Sequence, residues 1–303
     1  MPNKTSDLWW LFSRQTINVT QEESVLDAAS LMRERNFRHL PVITGKGTIV
    51  GIISAQDIID ALNLSLISHT TPIEIFKGLD IPVQRIMKLH PIVVEQGDDL
   101  LTITKKMSHN NVGALPIVDE QGIIQGIVTL RDLIHLIGIG SEPINVPVSE
   151  LMNTNVSTIS INSPISKAVQ LMSEKRVRRL PIISPKQELV GMLSNKDLLR
   201  YTASLTLTGS PEAFDRKISE LMTKEVITIS HNDDIRVAAS LMMTLGVGGL
   251  AINDLPSRKI AIITERDLIR TLSMKRSYNF TVNAMQFELE QAPRPSNSTR
   301  NTF

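Results

Sequence analysis

The chain has 303 residues, of which 42% are hydrophobic and 21% are charged, so it is long enough to fold around a substantial core. Its 32 basic and 31 acidic residues leave a net charge of +1, which gives no overall preference for nucleic acid or for an anionic membrane. The absence of cysteine excludes disulfides, thiolate metal sites and cysteine nucleophiles, and we expect a cytoplasmic protein.

Neither a membrane span nor a secretory signal is predicted, and the C-terminal end is predicted to be disordered. No apolar run approaches the roughly 18 residues that a transmembrane helix needs, so no membrane partner is expected. The first ten residues lack the charged start and apolar block of a secretory signal. Residues 285–303 are predicted to be a disordered tail, because residues 291–303 are mainly Pro, Ser, Asn and Thr.

Four short segments with the same surroundings reveal an internal repeat. Each ends in a Leu-Pro step, or Leu-Ala in the fourth copy, and the last residues are Pro41, Pro116, Pro181 and Ala251. A methionine lies nine residues before that position, a glycine or alanine ten residues after it, and an aspartate sixteen residues after it. The methionines Met32, Met107, Met172 and Met242 fall on apolar helix faces and are interpreted as core. Because the inner spacing is fixed and the spacers vary, each copy is predicted to be a folded module.

Each copy predicts the element order β-α-β-β-α. A short strand (156–161, 226–230) precedes a helix with apolar residues at helical spacing (24–34, 165–175). An apolar strand that starts at the Leu-Pro step follows, then a polar turn, a second strand (124–128, 190–193) and a closing helix such as 195–201. The predicted class is α/β (α+β), with repeats at 11–65, 83–138, 148–202 and 217–273. Since about 60 residues is marginal for independent folding, repeat one is expected to pair with two, and three with four, through their sheets.

The closing helix of every copy begins with the pattern Ser/Thr-x-x-Asp. As a structural feature, the hydroxyl caps the helix and the acid lies near the positive helix end. As a binding feature, the acid accepts hydrogen bonds from ligand hydroxyls while the helix N-terminus faces phosphates. A capping box normally uses Glu or Gln, so the structural interpretation explains the hydroxyl better than it explains the shorter Asp, and both interpretations remain open.

Basic residues before the Leu-Pro step distinguish the copies. Copies one and three carry Arg38-His39 and Arg178-Arg179, whereas copies two and four carry Gly113-Ala114 and Gly248-Gly249. Lone basic residues usually belong to a solvated edge, but two adjacent pairs that recur only in the odd copies are harder to explain in that way.

From about residue 11 to residue 272 the chain resembles the CBS domain family. The resemblance rests on the Leu-Pro strand and on the segments Gly51 to Asp57, Gly126 to Asp132 and Gly191 to Asp197, with a degenerate fourth copy. In this family two copies form a tandem module with two clefts. Chains with four copies, like the gamma regulatory subunit of the AMP-activated protein kinase, arrange two modules into a flat disc. The resemblance implies a regulatory, energy-sensing protein that binds AMP, ADP or ATP, less readily S-adenosylmethionine, and signals to an unidentified effector protein.

The resemblance also implies a role for particular residues. The ribose is assigned to Asp132, Asp267, Asp57 and Asp197 with Thr129, Thr264, Ser54 and Ser194. The phosphates are assigned to Arg38, His39, Arg131, Arg178, Arg179, Arg266 and Lys196. The base pocket is assigned to Ile17, Ser157, Met87, Met152 and Met222, all of which are equally typical of plain core.

The resemblance further implies that, within a module, the aspartate of one copy shares a cleft with the basic pair of the other. Asp132 then belongs with Arg38 and His39, and Asp267 belongs with Arg178 and Arg179. The clefts of Asp57 and Asp197 face glycine pairs, so we expect these two to be weak or empty.

An enzyme is not expected, because the sequence has no nucleophile motif, no Gly-x-Gly-x-x-Gly and no phosphate-binding Gly-x-x-x-x-Gly-Lys-Ser/Thr. The six histidines show no metal-ligand spacing, so neither a metal nor a cofactor is predicted. Two alternatives remain: an interaction scaffold with vestigial clefts, and a nucleic-acid-binding module. The sequence allows a monomer or a homodimer.

Overall fold

The computed structural model describes residues 16–69, 71–95, 97–138, 143–205, 213–252 and 260–273. The predicted tail at 285–303 and residues 11–15 of the first repeat lie outside this part of the chain. None of the helices described is both long enough and apolar enough to cross a membrane.

The first two repeats contain the predicted elements plus one additional helix between them. Repeat one comprises β1 (Val19–Thr20), α1 (Val25–Arg35), β2 (His39–Ile43), β3 (Ile49–Ser54) and α2 (Ala55–Ser68). The connection carries α3 (Pro72–Leu79), a short 3-10 helix (Val83–Arg85) and β4 (Lys88–Leu89). Repeat two comprises β5 (Val94–Glu95), α4 (Leu100–His109), β6 (Ala114–Val118), β7 (Ile124–Thr129) and α5 (Leu130–Gly138).

The last two repeats follow the same order. After a 3-10 helix (Val148–Glu150), repeat three comprises β8 (Ile159–Ser160), α6 (Ile165–Lys175), β9 (Arg179–Ile183), β10 (Leu189–Ser194) and α7 (Asn195–Leu205). After a further 3-10 helix (Ile218–Glu220), repeat four comprises β11 (Thr228–Ile229), α8 (Ile235–Thr244), β12 (Gly249–Ile252), β13 (Ile262–Thr264) and α9 (Glu265–Ser273). The predicted β-α-β-β-α order is confirmed in all four.

Every repeat builds the same small sheet, with the Leu-Pro strand in the middle. This strand pairs parallel with the first strand and antiparallel with the third. The register is the same throughout, because Pro41 lies opposite Ile52, Pro116 opposite Ile127, Pro181 opposite Met192 and Ala251 opposite Ile262. Each closing helix follows directly on the third strand, which fixes where its first turn lies.

The sequence pattern suggested that the prolines start their strands, and this was wrong. Each proline is the third residue of a central strand. The fourth repeat shows what a proline changes, because the backbone N–H of Ala251 donates to the Ile227 carbonyl at 3.1 Å. Pro41 has no N–H, so it cannot make the same bond to Ile17. A central proline is tolerated because the first strand pairs only with the two residues that follow it.

Backbone pairing between neighbouring repeats confirms the tandem pairs. Residues 81–89, which lead into repeat two, lie along repeat one, and β4 adds to its sheet antiparallel to β3. Repeats three and four exchange such segments: residues 216–223 bond to repeat three, and residues 146–153 bond to repeat four. Each module is therefore held together by main-chain hydrogen bonds.

The apolar cores run across the modules, an arrangement the sequence did not indicate. In one core, α1 and α2 of repeat one pack against α6 and α7 of repeat three. In the other, α4 and α5 of repeat two pack against α8 and α9 of repeat four. The helices thus join the two modules, and the sheets and connecting segments join the repeats within a module. The flat disc remains a prediction.

Candidate functional site

Each closing helix begins with a carboxylate held by the residue that caps it. The Oδ2 atom of Asp132 accepts the Thr129 backbone N–H at 2.7 Å and the Thr129 hydroxyl at 2.8 Å. The same two bonds recur at Asp57, Asp197 and Asp267, at 2.6 to 2.8 Å. The short aspartate does reach back to the cap, so the sequence argument against a capping role was wrong. The four carboxyl groups share a fixed orientation at the helix start.

A cavity of about 370 Å³ lies among the four repeats. On the first module its walls include Ile17, Arg38 and His39 of repeat one and Thr129, Arg131 and Asp132 of repeat two. These are the residues that the sequence assigned to one cleft, apart from the apolar Ile17. A carboxylate, three basic side chains and an apolar wall therefore meet in one space.

The same cavity continues onto the second module. There it is lined by Ser194, Lys196 and Asp197 of repeat three, and by Gly248 of repeat four. Burial lowers the pKa of Lys196 to about 8, with a further contribution from nearby arginines. The cleft that was expected to be poor is thus open and carries its own carboxylate and cation.

The glycines of the even repeats leave room for the basic residues of the odd ones. A side chain at Gly113 would begin 3.1 Å from His39 and from the Arg178 guanidinium. At Gly248 it would begin 2.0 Å from Nη2 of Arg179. The glycine steps therefore permit the arginines to reach the centre, and the two patterns seen in the sequence are parts of one arrangement.

Positive charge accumulates at this centre. Burial, followed by repulsion from Arg266, lowers the pKa of Arg178 to about 9. Burial lowers the pKa of Arg179 to about 10 although Glu265 opposes the shift. Burial and Arg178 hold the pKa of His39 well below its ordinary value. Burial is the main cause of all three shifts, so Arg178 and Arg179 keep their charge in a poorly solvated space, whereas His39 is neutral at neutral pH.

Glu265 supplies a negative charge to this cluster and was missed in the sequence. Its Oε2 accepts from Nη2 of Arg38 at 2.8 Å, and its Oε1 lies 3.9 Å from Nε of Arg131. The side chain is only 5% exposed. A signal was present: the residue after the capping Ser or Thr is Ala55, Leu130 and Asn195 in the other copies, and acidic only in the fourth.

The remaining two aspartates lie outside the walls of the cavity. Asp57 is near Lys88, whose Nζ is 3.7 Å from its Oδ1, so this cleft has a cation that the repeat alignment did not reveal. Asp267 belongs to a helix start with Arg266, whose Nη2 is buried and has no hydrogen-bond partner among the residues described. Arg266 is also the charge that lowers the pKa of Arg178 most strongly, so these two arginines lie near each other.

The predicted base-pocket residues divide into two groups. Ile17 lines the cavity, next to Pro41, which was not among the predicted residues. Met87 and Met222 instead pack beside Gly51 and Gly191 at the edge of the first core. Met152 packs against the second core, and Ser157 is half-buried away from the cavity wall. The role of this set as a base pocket remains a prediction.

Comparison with known proteins identifies the class to which this fold and this site belong. The sequence model of the CBS domain matches residues 7–64, 83–139, 148–204 and 218–274. The protein therefore belongs to the CBS domain family, and the resemblance inferred from the repeats is confirmed. The exact repeat boundaries predicted above remain our own proposal.

Two relatives are similar over most of the chain. A 33.4 kDa protein from the ribosomal RNA operon of Thermofilum pendens is 29% identical over 264 residues, covering 84% of this chain and 87% of the relative. Protein MJ1225 of Methanocaldococcus jannaschii is 25% identical over 275 residues, covering 85% of this chain and 95% of the relative.

Solved structures show that the fold is shared. The crystal structure of MJ1225, described as a candidate archaeal homologue of g-AMPK, has a TM-score of 0.76 at 24% identity and covers 87% of this chain and 98% of that one. A conserved protein from Pyrococcus horikoshii has a TM-score of 0.59 at 20% identity, covering 86% and 97%.

Proposed function

We propose that this protein is a regulatory, non-catalytic sensor that binds adenine nucleotides (AMP, ADP or ATP) in the clefts between paired repeats and signals to a separate effector protein. One observation carries the proposal. The cavity brings the Asp132 carboxylate together with Arg38, His39 and Arg131, and its lining includes more basic than acidic side chains. Such a site suits a ligand with hydroxyl groups at one end and phosphates at the other.

In the Asp132 cleft, the two halves of the ligand meet different chemistry. The ribose hydroxyls donate to the Asp132 carboxylate, and the phosphates are bound by Arg38, His39 and Arg131 with charge-assisted hydrogen bonds, each contributing about 1.5–3 kcal/mol. The apolar Ile17 and Pro41 wall takes the base. The cavity volume of about 370 Å³ is in the range of small-molecule sites.

Two further clefts compete for the role of second site. The sequence favours Asp267 with Arg178 and Arg179. The cavity favours Asp197, because this carboxylate lines the open space together with Lys196. We propose that the Asp197 cleft also takes a nucleotide, and the variants below separate the two assignments.

Signalling follows from linkage. A nucleotide that binds one arrangement of the two modules more tightly than another shifts the population towards that arrangement. The cavity is lined by residues of all four repeats, so a ligand there contacts both modules at once. AMP and ATP differ in phosphate number, so the cations of the centre determine which nucleotide has the larger effect.

The test is calorimetric titration of AMP, ADP and ATP into the full-length protein and into aspartate variants. Asp132→Ala is expected to weaken the tightest site about tenfold or more, because it loses the ribose contacts. Asp57→Ala is the matched control: it loses the same two capping hydrogen bonds, but its carboxylate lies outside the cavity wall. The Kd of the tightest site is expected to change less than about threefold in Asp57→Ala.

Other results would contradict the proposal in separate ways. The absence of binding by the wild-type protein at millimolar nucleotide would favour a scaffold. Tight, steeply salt-dependent binding of oligonucleotides alone would favour nucleic acid. If Asp267→Ala weakens a second site and Asp197→Ala does not, the sequence assignment of that site is right and the cavity assignment is wrong.

A further inference from the structure

One buried carboxylate stands among the central cations without a part in the proposed ribose or phosphate contacts. Glu265 is the first residue of α9, immediately after the capping Thr264. It is one of few charged side chains among the buried residues described, and it points at arginines from other repeats. A buried charge is costly unless it is paired, so its partners define its role.

The partners of Glu265 come from both modules. Arg38 of repeat one donates to it at 2.8 Å, and Arg131 of repeat two lies 3.9 Å away. At Gly248, a side chain would begin 2.0 Å from Arg179 of repeat three and 2.9 Å from the carboxylate of Glu265. The carboxylate and the Arg179 guanidinium therefore occupy the same small space beside the cavity wall.

Glu265 is ionised at neutral pH. Burial by itself raises the pKa of its carboxyl group, but Arg38, Arg179 and Arg131 outweigh that effect and hold the pKa below its ordinary value. The side chain behaves as a fixed anion that is already bound to the phosphate-binding cations.

Arg38 and Arg131 are shared between the cavity and Glu265. Both line the cavity, and both contact Glu265. A phosphate that enters the cavity must share these cations with Glu265. Under the proposed function, each further phosphate adds negative charge near these shared cations, and therefore near the Glu265 carboxylate. In a partly desolvated site such repulsion is weakly screened.

We propose that Glu265 is a specificity-determining residue that makes the Asp132 cleft prefer nucleoside monophosphates over triphosphates, by acting as a built-in counter-anion for Arg38 and Arg131. This inference rests on the proposed function, because it concerns the ligand of the same cleft. The Asp132 carboxylate, the basic pair and the repeat pattern do not by themselves predict which adenine nucleotide is preferred, whereas Glu265 does.

The experiment measures Kd for AMP and for ATP by calorimetry in the wild-type protein and in Glu265→Gln. The amide keeps an oxygen acceptor for Arg38 but removes the charge. We expect the Kd for ATP to fall about tenfold or more and the Kd for AMP to change less than about threefold, so the preference for AMP shrinks or reverses. Inorganic triphosphate and orthophosphate, tested as competitors, are expected to show the same difference.

Glu120→Gln is the control, since Glu120 is exposed and is not among the residues that line the cavity. It removes the same charge from the protein and is expected to leave the ratio of the two Kd values within about twofold of the wild type, because solvent screens exposed charges. Glu265→Asp retains the charge with a shorter side chain, and is expected to keep the preference for AMP. If thermal melting shows that Glu265→Gln is not folded, the Kd values of Glu265→Asp are measured in its place.

The outcomes separate the two proposals. Nucleotide binding by the wild type with an unchanged ratio of Kd values in Glu265→Gln overturns the role of Glu265 and leaves the sensor intact. A lower melting temperature with unchanged Kd values shows that Glu265 only stabilises the fold, and it also overturns the inference. Loss of the preference in Glu265→Asp would do the same. No binding to the wild type at all overturns the proposed function, and the inference fails with it.

Discussion

Each aspartate of the closing helices can serve in helix capping and in ligand binding. One carboxylate oxygen accepts the backbone N–H and the hydroxyl of the capping residue in all four repeats. A helix cap of this kind contributes about 1 kcal/mol. Because all four copies make these bonds, the motif alone cannot separate a ligand site from a helix start. The surroundings of the four aspartates differ, since Asp132 and Asp197 line the cavity, and on that ground we propose these two as ligand sites.

The glycine at position 248 gives a test of the packing at the centre. Gly248→Ala would place a methyl group 2.0 Å from Arg179 and 2.9 Å from Glu265. We expect it to displace Arg179, to destabilise the fold by about 1–3 kcal/mol and to weaken nucleotide binding. Chemical denaturation and calorimetry measure the two effects. Gly45→Ala is the control, because Gly45 is exposed and its new methyl group meets nothing within 4 Å. An unperturbed Gly248→Ala variant would show that the centre is loosely packed.

Helices and strands were predictable to different degrees, for a physical reason. The helix at 165–175 was predicted with the bounds it has, since apolar spacing defines its buried face. The first strand of each repeat is only two residues long, whereas about five were predicted, because its length depends on pairing with a distant strand. Amphipathic spacing shows that a helix is buried but not which helix covers it. The pairing of α2 with α6 and α7 across modules could not be predicted for that reason.

The site follows the same rule. Asp132 could be grouped with Arg38 and His39 because the resemblance to the CBS domain family implied how two copies face each other, and all three residues line one cavity. Glu265 and Lys88 were missed because their partners come from other repeats or from a connecting strand. Fixed spacing inside a repeat carries no information about such contacts.

The packing between modules can be tested within one helix. Leu62 of α2 is fully buried in the first core, whereas Leu64, two residues later, is 66% exposed. Leu62→Ala is expected to lower the free energy of unfolding by about 2–5 kcal/mol, because it leaves a cavity between the helices of repeats one and three. Leu64→Ala is expected to change it by less than about 0.5 kcal/mol. Urea denaturation followed by circular dichroism measures both. Equal effects would mean that α2 does not pack as described.

At the scale of the whole molecule, one kind of contact joins repeats within a module and another kind joins repeats of different modules. Main-chain pairing ties repeat three to four and the segment before repeat two to repeat one. Apolar helix packing ties repeat one to three and repeat two to four. A module separated from the other would keep its sheet contacts and expose the apolar faces of its helices. The four repeats therefore depend on one another for stability, although each module is one continuous stretch of the chain.

This dependence predicts how a single module behaves in solution. A fragment of residues 1–140 retains α1, α2, α4 and α5 without the helices that cover them. We expect two copies of the fragment to take the place of the missing module, so light scattering should give twice the fragment mass. Its melting temperature should rise with protein concentration, as mass action requires for a dimer, whereas that of the full chain should not. A monomeric fragment that unfolds cooperatively with the stability of the full chain would show that the helix faces are not what joins the modules.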